Sequence, residues 1–72
     1  MEKIIKLRLR ELLEERNLTR NQLAKMIGED YQMIDRYYKN AIYRYDSRVL
    51  AKICAALNCN VQDLVELAEA DD

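Results

Sequence analysis

The side chains of this sequence offer few means of catalysis. The chain contains no histidine, so it lacks the group best suited to act as an acid or base near neutral pH. Its single glycine excludes a glycine-rich phosphate-binding loop. The carboxylates of Glu11, Glu14 and Glu15 stand near arginines at helical spacing, which is typical of solvated ion pairs. We therefore expect no catalytic residue and no enzyme.

Two cysteines, Cys54 and Cys59, are the remaining candidates for metal or redox chemistry. A structural zinc site needs four ligands, and this chain has two cysteines and no histidine. The spacing also differs from that of a Cys-x-x-Cys redox motif. Cys54 lies on an apolar helical stripe and Cys59 follows it, so we expect both thiols to be reduced, buried fillers. The sequence predicts no metal site and no cofactor.

Length and charge limit the class of protein. The 72 residues can form one domain, 1–72, with a small core. No stretch approaches the roughly 20 apolar residues of a membrane span, and residues 1–13 lack the apolar centre of a signal peptide, so we expect a cytoplasmic protein without membrane contact. Residues 1–52 carry 12 basic and 8 acidic side chains, whereas residues 53–72 carry 5 acidic and no basic ones. This asymmetry is compatible with a basic binding face and an acidic tail at 66–72, and equally with an ordinary solvated surface.

The stretch from 19 to 39 predicts two short helices joined by a sharp turn. Gly28 is the residue best able to end the first helix in a left-handed conformation, and Asp30 can cap the second. The apolar faces of the two helices consist of Leu23, Ala24 and Ile27, and of Ile34 and Tyr37. This pattern is typical of a helix-turn-helix.

Three further helices complete the predicted fold. We expect the first helix from about Lys6 to Arg16. Apolar residues alternate in residues 3–7, so an extended segment there is the alternative. Leu7 fits the apolar stripe of a helix badly, so we expect it to be exposed. The fourth begins after Asp46 or Ser47 and ends at about 58. The fifth follows Asn60 and turns inward the side chains Val61, Leu64, Val65 and Ala68. The predicted fold class is all-α, with five helices around one core.

The stretch resembles the helix-turn-helix of the phage lambda repressor and Cro group, also called the xenobiotic response element family. The matching residues are Leu23, Ala24, Ile27, Gly28, Ile34 and Tyr37. The segments before and after it resemble the family's first helix and last two helices. The resemblance implies a small bacterial or phage transcriptional regulator of repressor type, which binds double-stranded DNA with its helix 31–39 in the major groove.

Residue roles follow from the resemblance by position. The residues implied to face base edges are Tyr31, Gln32, Met33, Asp35 and Arg36. Glutamine can pair bidentately with adenine and arginine with guanine, whereas Asp35 could accept from cytosine or hold a neighbouring cation. The residues implied to contact the DNA backbone are Arg20, Asn21, Gln22, Lys39, Tyr43 and Arg44.

Several residues depart from the family pattern. Glu29 stands where valine or isoleucine normally packs into the turn, and Arg20 replaces the usual glutamine. Asn40 lies near a usual glycine. All five aromatic residues are tyrosines within 31–45, and tyrosines can anchor a protein partner as well as bind phosphate. A protein-interaction module on the same fold, such as an antitoxin or a phage inhibitor, is therefore the alternative function.

Pairing of two chains is the last expectation. Family members usually form dimers that read two half-sites, so we expect a weak homodimer that assembles on DNA. The candidate interface comprises Val61, Val65 and Leu67, with Leu7 as the alternative. No small-molecule ligand is expected, because the chain shows no second domain.

Overall fold

The fold consists of five helices and one two-stranded antiparallel sheet. The computed structural model describes residues 2–70. In chain order the elements are β1 Lys3–Leu7, α1 Leu9–Glu15, α2 Arg20–Ile27, α3 Tyr31–Tyr38, α4 Ser47–Leu57, α5 Val61–Leu64 and β2 Val65–Glu69. Within the described residues, no helix has both the length and the apolar character needed to cross a membrane.

The helix-turn-helix is formed by α2 and α3. Thr19 caps α2 by accepting a hydrogen bond at its hydroxyl from the backbone of Gln22, 3.0 Å away. Gly28 ends α2 at φ 68°, the left-handed region where a side chain is unfavourable. Asp30 then caps α3 through the backbone N–H of Gln32. The predicted left-handed end of α2 at Gly28 and the predicted cap of α3 at Asp30 are confirmed, and α3 ends at Tyr38, one residue before the predicted bound.

Asparagine takes the left-handed conformation at three other chain reversals. Asn17, Asn40 and Asn58 have φ values of 54°, 57° and 52°. Among residues with a side chain, asparagine visits this region most readily, because its short amide can bond locally. These positions lie at or just after the ends of α1, α3 and α4 respectively, where a left-handed residue commonly ends a helix.

The sheet corrects the prediction of an all-α fold. Residues 3–7 form β1, the extended alternative, and the expected helix from Lys6 is wrong; the helix begins at Leu9. β1 pairs with β2 in a register that places Ile5 opposite Leu67 and Leu7 opposite Val65. Leu7 is only 3% exposed, so the expectation that it is exposed is also wrong. A short apolar run fits both periodicities, and the distant partner strand favours the extended one.

The last helix is shorter than expected. α5 ends at Leu64, because Val65 is already extended at φ −112° and ψ 132°. Leu64 is fully buried as predicted, whereas Val61 is exposed, contrary to the expected inward position. Residues 66–69 of the expected acidic tail belong to β2, and residues 71–72 lie outside the described residues. The N-terminal and C-terminal segments therefore meet in one ribbon.

The core lies between the helices and the inner end of the ribbon. Tyr37 is its largest fully buried side chain, and its hydroxyl accepts a hydrogen bond from the backbone N–H of Asp46, 2.9 Å away. Cys54 and Cys59 are half-buried free thiols that pack against this core. The buried apolar residues are Leu7, Leu9, Leu12, Leu13, Leu23, Ala24, Ile34, Tyr37, Val49, Ile53, Leu57 and Leu64.

Candidate nucleic-acid interface

The outer face of α3 presents polar side chains to solvent. Ile34 and Tyr37 are buried on its inner face, which directs Gln32 and Arg36 outward, one helical turn apart. Tyr31 is also exposed, at the first position of the helix. Within residues 2–70, Arg36 makes no ion pair with a carboxylate. A glutamine amide and a guanidinium are therefore available side by side for an external partner.

Met33 lies differently from the other predicted base contacts. Its side chain is half-buried and packs against the hydrophobic core. Packing is therefore a sufficient reason for an apolar residue at this position, next to the fully buried Ile34.

Asp35 is held between two cations. One carboxylate oxygen accepts a hydrogen bond from the Arg20 guanidinium, and the other lies 3.1 Å from the ammonium of Lys39. The hydrogen bond from Lys39, followed by that from Arg20, lowers the pKa of the Asp35 carboxyl below its usual value. The side chain is 23% exposed. Both oxygens are thus engaged within the protein, one with a residue of α2 and the other with the residue that caps the end of α3.

Tyrosine rings support the Arg20 guanidinium from the side of α3. Its central carbon lies 4.4 Å from the centroid of the Tyr38 ring and 6.0 Å from that of Tyr31. Arg10 of α1 lies 5.2 Å from the Tyr38 ring, and its Nε donates to the Tyr38 hydroxyl at 3.3 Å. Cation–π contacts of this kind order a guanidinium that solvent would otherwise leave mobile. Tyr38 therefore links α1, α2 and α3 through two arginines.

The beginning of α2 contributes two further predicted residues. Asn21 is exposed in the first turn. The side-chain oxygen of Gln22 accepts from the backbone N–H of Thr19 at 2.8 Å, which completes a capping box. Gln22 therefore keeps both of its amide N–H donors for an external acceptor.

The loop after α3 carries the remaining predicted contacts. Lys39, Tyr43 and Arg44 are exposed, and Tyr43 reaches 98%. Tyr45 anchors the same loop by packing edge-on against Tyr37, with ring centroids 5.6 Å apart. Partial burial raises the pKa of the Tyr45 phenol. The loop is thus fixed at one aromatic residue while it exposes another.

Asn40 joins this loop to the sheet. Its side-chain oxygen accepts from the backbone N–H of Leu7 at 2.7 Å, and its amide nitrogen donates to the Leu7 carbonyl at 3.0 Å. These are the two backbone groups that the antiparallel ladder leaves on the outer side of β1. Asn40 therefore ends α3 and holds β1 beside it.

Glu29 finds a partner on α4. Its carboxylate lies 2.8 Å from the ammonium of Lys52 and is 21% exposed. This ion pair ties the turn of the helix-turn-helix to α4, so the acidic residue costs less than its position in an apolar turn suggests.

Sequence reasoning missed Arg10, Asn40 and Lys52 as partners in these contacts. The left-handed conformation of Asn40 is a local property, but nothing local indicates that its amide reaches Leu7. Arg10 and Lys52 lie 28 and 23 residues from the groups that they bind. For Lys52, a signal was available in the unusual residue type of its partner, Glu29.

The apolar residues predicted for pairing lie on α5 and on the two-stranded ribbon. Leu67 is 67% exposed and lies opposite Ile5, which is 48% exposed. Val61 is exposed and Val65 half-buried. Leu7 is buried and cannot serve as the alternative pairing surface. The remaining surface belongs to α5 and β2, not to one continuous helix.

Known proteins resemble this chain in sequence and in fold. The sequence model of the Cro/C1-type helix-turn-helix DNA-binding domain family matches residues 8–70 of this chain. The SPbeta prophage-derived uncharacterized HTH-type transcriptional regulator YopS of Bacillus subtilis (strain 168) is 34% identical over 56 residues, which cover 78% of this chain and 76% of that protein.

Two solved structures share the fold. Each has a TM-score of 0.78 and 24% sequence identity to this chain. The match to the crystal structure of a candidate DNA-binding protein from Bacteroides fragilis covers 88% of this chain and 100% of that chain. The transcriptional regulator VanUg covers 97% of this chain and 92% of its own. On the match over residues 8–70 and the similarity to YopS, the chain belongs to the Cro/C1-type helix-turn-helix DNA-binding domain family.

Proposed function

We propose that this protein is a sequence-specific DNA-binding transcriptional regulator of repressor type that places α3 in the major groove. The observation that carries the proposal is the pair Gln32 and Arg36, exposed together on α3, with Arg36 free of carboxylates within residues 2–70. Their side chains suit adenine and guanine respectively. Membership of the DNA-binding family and similarity to a named transcriptional regulator support the same function. A bacterial or phage regulator of this kind acts in the cytoplasm.

The contacts divide into two groups under this proposal. Tyr31, Gln32 and Arg36 read base edges, whereas Met33 packs against the core and Asp35 binds cations of the protein itself. The DNA backbone is contacted from both sides of α3 by Arg20, Asn21, Gln22, Lys39, Tyr43 and Arg44. Backbone contacts set affinity and register, and base contacts set sequence preference.

Selection from a pool of random-sequence duplexes tests the proposal. The protein should enrich one motif, and Gln32→Ala and Arg36→Ala should each weaken binding to that duplex by about 1–3 kcal/mol while relaxing preference at one base pair. Lys39→Ala and Arg44→Ala should weaken selected and random duplexes alike and reduce the salt slope by about one unit. Gln62→Ala, an exposed glutamine on α5, is the control and should change neither property. Equal losses on both duplexes for all four variants would contradict the assignment of base contacts.

A protein-interaction module remains the second candidate because Tyr43 is almost wholly exposed. A phenol held out from a fixed loop is a suitable anchor for a partner surface. If the random-sequence pool yields no enriched motif, this second function becomes the better one, and Tyr43→Ala should then abolish capture of the partner.

We further propose that the protein pairs weakly through the ribbon and forms its dimer on DNA. The exposed Leu67 and the half-buried Val65 of β2, with the exposed Val61 of α5, provide the apolar surface, and Glu66 and Glu69 of β2 limit its affinity in the free protein. Sedimentation with and without a palindromic duplex should show a dimer only on DNA. Leu67→Glu should remove the cooperativity of binding, whereas Met26→Glu, at an exposed apolar residue of α2, should not. Unchanged cooperativity in Leu67→Glu would exclude this surface.

A further inference from the structure

The cluster formed by Arg20, Asp35 and Lys39 contains two predicted phosphate-binding cations and one carboxylate between them. An acid beside a DNA-binding surface is ordinarily unfavourable, since it repels phosphate. The carboxylate nevertheless binds both cations, one with each oxygen. Repulsion between Asp35 and phosphate does not explain why the carboxylate binds both cations.

We infer that Asp35 is a positioning residue that orders Arg20 and Lys39 for the DNA backbone, an inference that rests on the proposed function. The Arg20 guanidinium is bound at one edge by Asp35 and covered on a face by the ring of Tyr38. A guanidinium has five N–H donors in a planar fork, so its free edge still offers donors in a fixed direction. Lys39 is 58% exposed and keeps donors of its ammonium beyond the one that faces Asp35.

The charge of the cluster also favours this role. Two cations and one carboxylate leave a net charge of +1, so the cluster still attracts phosphate. Without the carboxylate, the two cations would repel each other and their long side chains would spread over many rotamers. Ordering those side chains would then fall to the binding step and reduce affinity.

Asp35→Asn distinguishes this role from simple repulsion, because the two predict effects of opposite sign. If Asp35 only repels phosphate, removing its charge must strengthen DNA binding. If it orders the cations, Asp35→Asn must weaken binding to selected and random-sequence duplexes by about tenfold, the effect expected for two long side chains left to be ordered on binding. Glu29→Gln is the matched control: it removes the same charge from an ion pair of nearly equal exposure, 21% against 23%. It should leave affinity unchanged or slightly higher.

A double-mutant cycle with Arg20→Gln separates positioning from loss of structure. In the Arg20→Gln background, Asp35→Asn should retain only about half of its wild-type effect on a logarithmic scale, because one of its two cations is absent. Circular dichroism must show all variants folded at the binding temperature. Tighter binding by Asp35→Asn, or an undiminished effect without Arg20, would overturn the inference. Failure of the wild type to bind either duplex would instead refute the proposed function.

Discussion

Replacing Asn40 by glycine isolates the hydrogen bonds that join α3 to β1. Asn40 has φ 57°, a conformation that glycine adopts without strain, so Asn40→Gly removes the amide without forcing the backbone to change. The Leu7 N–H and carbonyl then lose their partners at 2.7 and 3.0 Å. Because both groups are partly buried, water replaces the amide incompletely.

The expected cost follows from two hydrogen bonds. Each contributes a net of about 0.5–1.5 kcal/mol, so Asn40→Gly should lower the free energy of unfolding by about 1–3 kcal/mol. Glycine relieves the left-handed backbone but adds entropy to the unfolded chain, and these two effects oppose each other. For a domain of this size, the loss corresponds to a fall in Tm of about 5–20 °C.

Asn58→Gly is the matched control. Asn58 ends α4 with φ 52°, nearly the same conformation, and its side chain is exposed. Its replacement changes the backbone terms alone and should shift stability by less than about 1 kcal/mol. Urea denaturation followed by helical circular dichroism measures both variants, and amide exchange at Leu7 should accelerate only in Asn40→Gly. Equal midpoints for the two variants would refute the structural role of the Asn40 amide.

Three further predictions concern the turn, the core and acid stability. Gly28→Val should destabilise the fold by about 1–3 kcal/mol because a β-branched residue is strained at φ 68°, although its Cβ would meet nothing within 4 Å. Gly28→Asn should cost clearly less, because asparagine tolerates this conformation. Similar urea midpoints for the two variants would contradict a strained backbone at Gly28. Tyr37→Phe should cost about 1–2 kcal/mol in the same assay, since the Asp46 N–H loses its acceptor at 2.9 Å. Hydrogen bonds from Lys39 and from the Arg48 backbone lower the pKa values of Asp35 and Asp46 respectively. The stability that these two carboxylates contribute is therefore present above the ordinary carboxyl pKa and is lost as pH falls through the lowered pKa values. Asp46→Asn should therefore flatten the decline of Tm in acid, and an unchanged slope would contradict this assignment.

The helix-turn-helix was predictable because its signals are local. Thr19, Gly28 and Asp30 each act within four residues of their own position, through a cap or a left-handed turn. The apolar stripe of α2 and α3 likewise repeats within one or two turns. Element bounds and caps for residues 19–38 could therefore be predicted without knowledge of the rest of the chain.

The sheet was not predictable in the same way. β1 and β2 pair residues more than 50 positions apart, so neither segment contains the evidence for its own conformation. Residues 3–7 fit a strand or the start of a helix, and residues 61–68 fit a helix until Val65 becomes extended. The extended conformation of each segment depends on the presence of the other, since each strand supplies the hydrogen-bond partners of the other.

Each residue that departs from the family pattern is explained by its contact with a second residue of the protein. Glu29 weakens the turn when it is considered alone, yet it binds Lys52 of α4. Arg20 in place of glutamine is matched by Asp35, and Asn40 near a usual glycine is matched by the backbone of Leu7. Considered singly, the acids Glu29 and Asp35 weaken the case for DNA binding, because each repels phosphate. Since each is bound to a cation of the protein, neither is an isolated negative charge, and within residues 2–70 Arg36 stays free of carboxylates.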